Sequence, residues 1–363
     1  MVQEMKKENR INTKKTFAII VLIAAIIGVF FYTTKKEKFS NKETAYYIIN
    51  SDMLKKSGGL TGLDIDGGIT SEEKLKIQDL AEFAYKDKDF IAGGHRANNN
   101  LIIDEDGKVK EFSLLDNPNY SGVTALTSDG ENVIAIMNGN LADNTYQNLL
   151  VIQDIEGNVK EKKILDIYAS DAIFLGNKIF IVGSFLQADK NLWSSKIIAY
   201  DCRSGEINEN ILSKDSDYRK VLIIGDKVYC LSANMDNEAR KIDVLDKNTL
   251  EKINELEFDD LIDGIFAFKE DLYGIIDNKI CKIEGDNEFN VLKPLSNDTF
   301  VDSYLINDEN LYVYSRTENP TKEKGKINLG NITKYNLNSG ESLETPVLIR
   351  NKNYDNIIFY PVK

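Results

Sequence analysis

Two short hairpins per unit, recurring every 39 to 49 residues, predict an all-β chain: a seven-bladed β-propeller of four-stranded blades. Two other observations agree. From residue 44 onward apolar residues alternate in runs of four to seven between Asp, Asn, Gly and Lys turns, with no sustained 3.6-residue period. The two ends of the chain also supply complementary parts of one further unit.

Residues 1–15 form a basic tail with Lys6, Lys7, Arg10, Lys14 and Lys15. Phe17 to Tyr32 is an uncharged apolar run that Thr16, Thr33 and Thr34 extend over 16–34, near the ~20 residues a bilayer core requires. This predicts one transmembrane helix with a cytoplasmic N-terminus, although Lys35, Lys36, Lys38 and Lys42 also flank its far side. The alternative is a cleaved secretory signal, whose apolar region is usually about 7–15 residues and ends in small residues. Here the run ends in Phe30, Phe31 and Tyr32, and no lipobox cysteine follows, which favours an anchor in the plasma membrane. A basic linker, 35–43, leads to an extracytoplasmic domain over 44–363. Residues 1–43 carry a net charge of +5 and the remainder −18.

The first hairpin of each unit lies at 84–94, 126–138, 174–184, 223–233, 267–277 and 306–316. A second follows at 101–112, 149–162, 196–209, 241–253, 279–291 and 332–344. Phe90, Val133, Ile179, Val228, Leu272 and Leu311 mark the second strand of each unit, at spacings of 43, 46, 49, 44 and 39. Tyr47 in TAYYIIN (44–50) lies 43 residues before Phe90, and 60–66 and 69–77 read as the next two strands of its unit. The missing first strand is supplied by DNIIFYPV (355–362), giving a composite closing blade that leaves no open edge. A six-bladed ring with a stray terminal strand is the alternative.

The third-strand pattern, apolar-x-apolar-x-Asp or Asn before a Ser-Gly-Glu turn, is clearest in IIAYDCRSGE (197–206) and ITKYNLNSGE (332–341). It resembles the repeats of Tyr-Val-Thr-Asn-type and quinoprotein-like bacterial propellers, a superfamily likeness covering about 44–363 in architecture. No Trp-Asp series, recurring double glycine or sialidase box accompanies it.

Composition narrows function by exclusion. A net charge of −13 argues against nucleic-acid binding, which requires a basic surface. Cys202, Cys230 and Cys281 have neither disulfide-framework nor metal-site spacing and read as core residues. The Lys, Asn and Ile content fits a low-GC Gram-positive bacterium.

In a four-stranded blade the connections from strand two to strand three, and those between blades, share one face. The two-to-three connections at 93–100, 138–148, 186–195, 233–240 and 316–328 are the longer ones and are the expected binding surface. They carry His95, Arg96, Tyr146, Trp193, Arg240 and Arg316, the aromatic and Arg composition of an interface hot spot. The plainer readings are that Trp193 covers a blade edge and that His95, the single histidine, is an ordinary loop residue. No zinc site or histidine nucleophile follows from one His. Residues 63–73 imitate a calcium loop, but Leu75 stands where a bidentate Glu is needed. Ca²⁺ on acidic loops or in the channel is the one cofactor left open. The expectation is a membrane-anchored binding module for a protein, peptide or glycan. The alternative is a propeller enzyme, a carboxylate- or metal-assisted hydrolase or lyase.

Overall fold

The computed structural model describes residues 39–363 except 87–88, 105–106, 140–146, 188–191, 215, 235, 237, 297, 324, 351–354 and 363. Every regular element among them is a strand, and no helix there is long and apolar enough to cross a membrane. The apolar run expected to span the bilayer, 16–34, lies outside the described residues.

The strands form seven antiparallel sheets of four. The first is composite: Asn356–Pro361 from the C-terminus pairs with Tyr46–Ser51, followed by Gly58–Leu63 and Ile69–Leu75. Its closing register sets Ile48 opposite Phe359 and Tyr47 opposite Tyr360. The seven-bladed prediction therefore holds and the six-bladed alternative falls, because the terminal strand is the first strand of a complete blade. The innermost strands of the second to seventh blades are Leu80–Lys86, Tyr120–Ser128, Tyr168–Leu175, Ser216–Ile224, Ile262–Phe268 and Thr299–Asn307.

Seven apolar clusters hold the ring together, each joining neighbouring blades. Middle strands are packed on both faces, which explains near-continuous apolar runs such as Asn148–Gln153, buried at every position. Outer strands expose the middle of their length, as in Ile69–Leu75. At the closure Phe90 stacks on Tyr360, ring centroids 5.1 Å apart, and Tyr47 stacks on the same tyrosine at 6.2 Å. Cys230 and Cys281 are buried and Cys202 is half-buried, all with free thiols, as core residues would be.

The recurring Asp or Asn at the end of the third strand has a backbone purpose. Asp201 Oδ1 accepts from the N–H groups of Arg203 and Ser204, Asp246 Oδ1 from Asn248 and Thr249, and Asn336 Oδ1 from Asn338 and Ser339. Asp64 does the same for Asp66 and Gly68, so the calcium-like segment is an Asx turn.

Two connections expected as loops are largely strand. The hairpin of the seventh blade continues through Asn310–Glu323 and Lys326–Asn336, with pairs as far out as Glu323 opposite Lys326. In the fourth blade, Lys178–Gln187 and Leu192–Asp201 stay paired past the expected loop, with Leu186 opposite Trp193. Continued ladder bonding outweighs the polar turn composition at both places.

Candidate functional site

The innermost strands share a defect that builds the site. Their pairing with the second strand skips one residue in the second to seventh blades: Ala81, Thr124, Ser170, Arg219, Asp263 and Asp302. The residue after each skip stands opposite a partner 11 positions later, as in Glu82 with Gly93, Lys220 with Leu231 and Ser303 with Tyr314. A bulge of this kind bends the strand and re-aims a side chain. Repeated around the ring, it turns Arg219, Asp263 and Asp302 into the channel mouth, on the face of the two-to-three connections.

Two cavities follow one another along the channel, with a smaller one beside the mouth at Arg316 and the closing strand. The mouth cavity holds about 390 Å³ and an inner one about 420 Å³, and Phe83, Lys220 and Tyr304 line both. These residues form a waist. Lys220 Nζ lies 3.1 Å from Asp171 Oδ1, and Asp171 Oδ2 accepts from the Val221 N–H at 2.9 Å, so this pair bridges the fourth and fifth blades. The Tyr304 hydroxyl donates to Ile265 O at 2.8 Å, which lays its ring across Gly264.

Glu82 faces the same waist from the second blade. Enclosure by the channel wall pushes its pKa up to about 8, the charge of Asp171 adds to this, and Lys220 opposes it. Burial works against the charge on Lys220, but Asp171, Tyr304 and Glu82 outweigh it and hold its pKa above the ordinary value. The waist thus joins a carboxyl that carries a proton near neutrality to a firmly charged lysine. At the mouth, burial raises Asp302 although Arg316 lies 3.9 Å away and counteracts it. Burial likewise raises Asp263, which the Asn278 N–H opposes.

Of the six residues expected from sequence, those whose side chains the structure describes take separate partners. Arg316 reaches the channel mouth, its Nη1 donating to Asp355 O at 3.1 Å beside the closing strand. His95 sits on the same face beside the third blade; its Nδ1–H donates to Val123 O at 3.2 Å, and Gly122 packs against its carbonyl. Arg96 lies 3.4 Å from Asp79, and Arg240 lies 3.4 Å from Glu238 at the start of a third strand. Trp193 belongs to a paired strand. Tyr146 lies outside the described residues.

Glu82, Asp171, Arg219, Lys220 and Asp263 are absent from the sequence-based set because innermost strands carry no long polar loop. A signal was nevertheless present: two consecutive small or polar residues between apolar ones, the second lying eight residues before the second-strand marker. Glu82 precedes Phe90 by that interval, Lys220 precedes Val228 and Gly264 precedes Leu272. Among the described residues no group of three His, Cys, Asp or Glu side chains could hold a metal ion.

No protein-family model matches the chain, and no curated protein matches it. Solved structures share its fold. A streptogramin B lyase superposes with a TM-score of 0.55 at 14% identity, covering 86% of this chain and 91% of that one. The β-propeller domain of the trilobed protease from Pyrococcus furiosus gives 0.51 at 12%, covering 86% and 98%. A catalytically inactive virginiamycin B lyase from Staphylococcus aureus, determined with quinupristin, gives 0.52 at 14%, covering 77% and 94%. At these identities the likeness is one of fold.

Proposed function

We propose that this protein is a membrane-anchored, extracytoplasmic recognition module that takes a protein, peptide or glycan at the channel-mouth face of its propeller. The observation that carries this reading is the ring of six bulges, which opens a charged cavity on the face bearing the longer connections. Apolar side chains stand exposed on that face as well: Leu261 precedes the sixth innermost strand, Phe300 lies at the start of the seventh, and Leu54 lies in the two-to-three connection of the closing blade. Polar groups beside an apolar rim are the composition of a recognition surface.

The test is affinity capture from intact membranes with the tagged full-length chain. Substituting Leu54, Leu261 and Phe300 by Ser abolishes capture of the partner, whereas substituting Lys247 and Asn338 on the opposite face by Ala leaves it intact. Equal capture by both variants overturns the reading.

A second reading rests on Glu82. A carboxylic acid that keeps its proton near neutrality, in a cleft beside Lys220 and Asp171, has the composition of a general acid for a carboxylate-assisted hydrolase or lyase. That reading requires turnover which E82Q removes while leaving ligand binding unchanged.

A further inference from the structure

Among the described residues, the charges that line the mouth cavity are matched with one exception of each sign. Lys220 is matched by Asp171, and Arg316 by Asp302. Arg219 lines the mouth cavity from the fifth blade and has no hydrogen-bond or ion-pair partner among the described residues. Asp263, exposed in the mouth, lines it from the sixth blade; its one hydrogen bond among the described residues is from the Asn278 N–H at a long 3.4 Å, and Asp277 adds like charge. The two side chains serve one cavity from adjacent blades and still do not form an ion pair with each other. Each is placed by its own bulge rather than by attraction to the other.

A third group is unsatisfied there. Ser303 Oγ is buried at the edge of the mouth and has no hydrogen-bond partner among the described residues. The Ser303 hydroxyl is closed to solvent, so the two unmatched charges, and not this orphan, are what a partner arriving from outside can meet. Leu231, Ala239 and Leu261 form an apolar side and Phe83 the floor, while the already matched Lys220 and Asp302 complete the wall with Tyr304. At about 390 Å³ the cavity is at the small end of ligand pockets, which run from about 300 to about 1,000 Å³.

Taking the face identified above as the recognition surface, we infer that the mouth cavity seats a zwitterion, an apolar amino acid or short peptide with both termini free. The carboxylate lies on the planar fork of Arg219, which can bind it in bidentate fashion. The ammonium lies against Asp263, and the side chain packs on Leu231, Ala239 and Leu261. An ammonium there supplies the positive neighbour that Asp263 lacks and lowers its raised pKa.

The experiment is equilibrium dialysis of the full-length chain in detergent with labelled leucyl-leucine, its N-acetyl derivative and its C-terminal amide. The free dipeptide binds saturably and at least about tenfold more tightly than either blocked form, a difference of about 1.4 kcal/mol. R219Q brings the free dipeptide down to the level of the amide, and D263N brings it down to the level of the N-acetyl form. R219K retains part of the carboxylate preference, because a point charge replaces the fork. No saturable binding, or equal binding of all three probes, overturns the inference. If the same preparation still captures a partner through the mouth face, the inference falls and the recognition reading stands; if capture also fails, both fall.

Discussion

Tyr304 of the seventh blade lies across Gly264 of the sixth so closely that a Cβ at position 264 would sit 2.6 Å from the tyrosine Cζ and 2.7 Å from its hydroxyl. Gly264 does not occupy the left-handed backbone region, so the requirement for glycine is one of space alone. The Tyr304 hydroxyl reaches Ile265 O only because that space is free. G264A therefore pushes the ring off the waist, and overpacking of this kind costs about 1–3 kcal/mol. Urea denaturation should show that loss, and a midpoint equal to that of the wild type would contradict it.

Glu82 makes stability depend on pH. Its folded pKa is about 8 and an unfolded glutamate titrates near about 4.3, so the folded chain keeps a proton between these values that the unfolded chain has released. The resulting contribution is complete below the unfolded value and is lost as the pH rises through the folded one. Between about pH 4 and about pH 8 the wild type should lose stability that E82Q retains, with no further loss above that range. Thermal melts that run parallel for the two proteins would count against the enclosed, protonated carboxyl.

The Asx turns behave in the opposite sense. Backbone N–H groups of Ser204 and Arg203 hold the Asp201 carboxyl below its ordinary pKa, and those of Thr249 and Asn248 do the same for Asp246. Their contribution is present above the unfolded carboxylate pKa and disappears as the pH falls through the folded values. D201A and D246A should each lower the denaturation midpoint at neutral pH and converge on the wild type in acid. A constant difference at every pH would show that the carboxylates do not cap these turns.

The closing strand carries the ring. Phe359 and Tyr360 are fully buried, the first against Tyr314 and the second in the stack with Phe90 and Tyr47. F359A should cost about 3–5 kcal/mol, the range for removing a buried aromatic. Ile253, exposed on an outer strand, provides the comparison: I253A should be close to neutral. Equal effects of the two substitutions would mean that the closing strand contributes no more than the surface does.

The repeat was legible because each blade needs the same turn chemistry and the same doubly packed middle strands. The spacing of Phe90, Val133 and Ile179, and the fit of DNIIFYPV to a unit beginning at Tyr47, followed from those needs. The site was less legible. Turn composition at 186–195 and 316–328 suggested loops, so Trp193 and Arg316 read as loop residues, whereas ladder pairing continues there and both lie on strands. The waist was hidden because Glu82, Asp171 and Lys220 come from three blades and meet only when the ring closes. No local pattern encodes that convergence, although the bulge spacing marks where each strand turns inward.

Site-specific photocrosslinking in intact cells tests recognition at the channel mouth most directly. A photoreactive residue at position 261, on the mouth rim, is compared with one at position 343, on the outer strand of the seventh blade, since Leu261 and Leu343 are similarly exposed. Adducts from position 261 and none from position 343 are the expected result. Adducts from position 343 alone would place the partner on the blade edge and contradict the account.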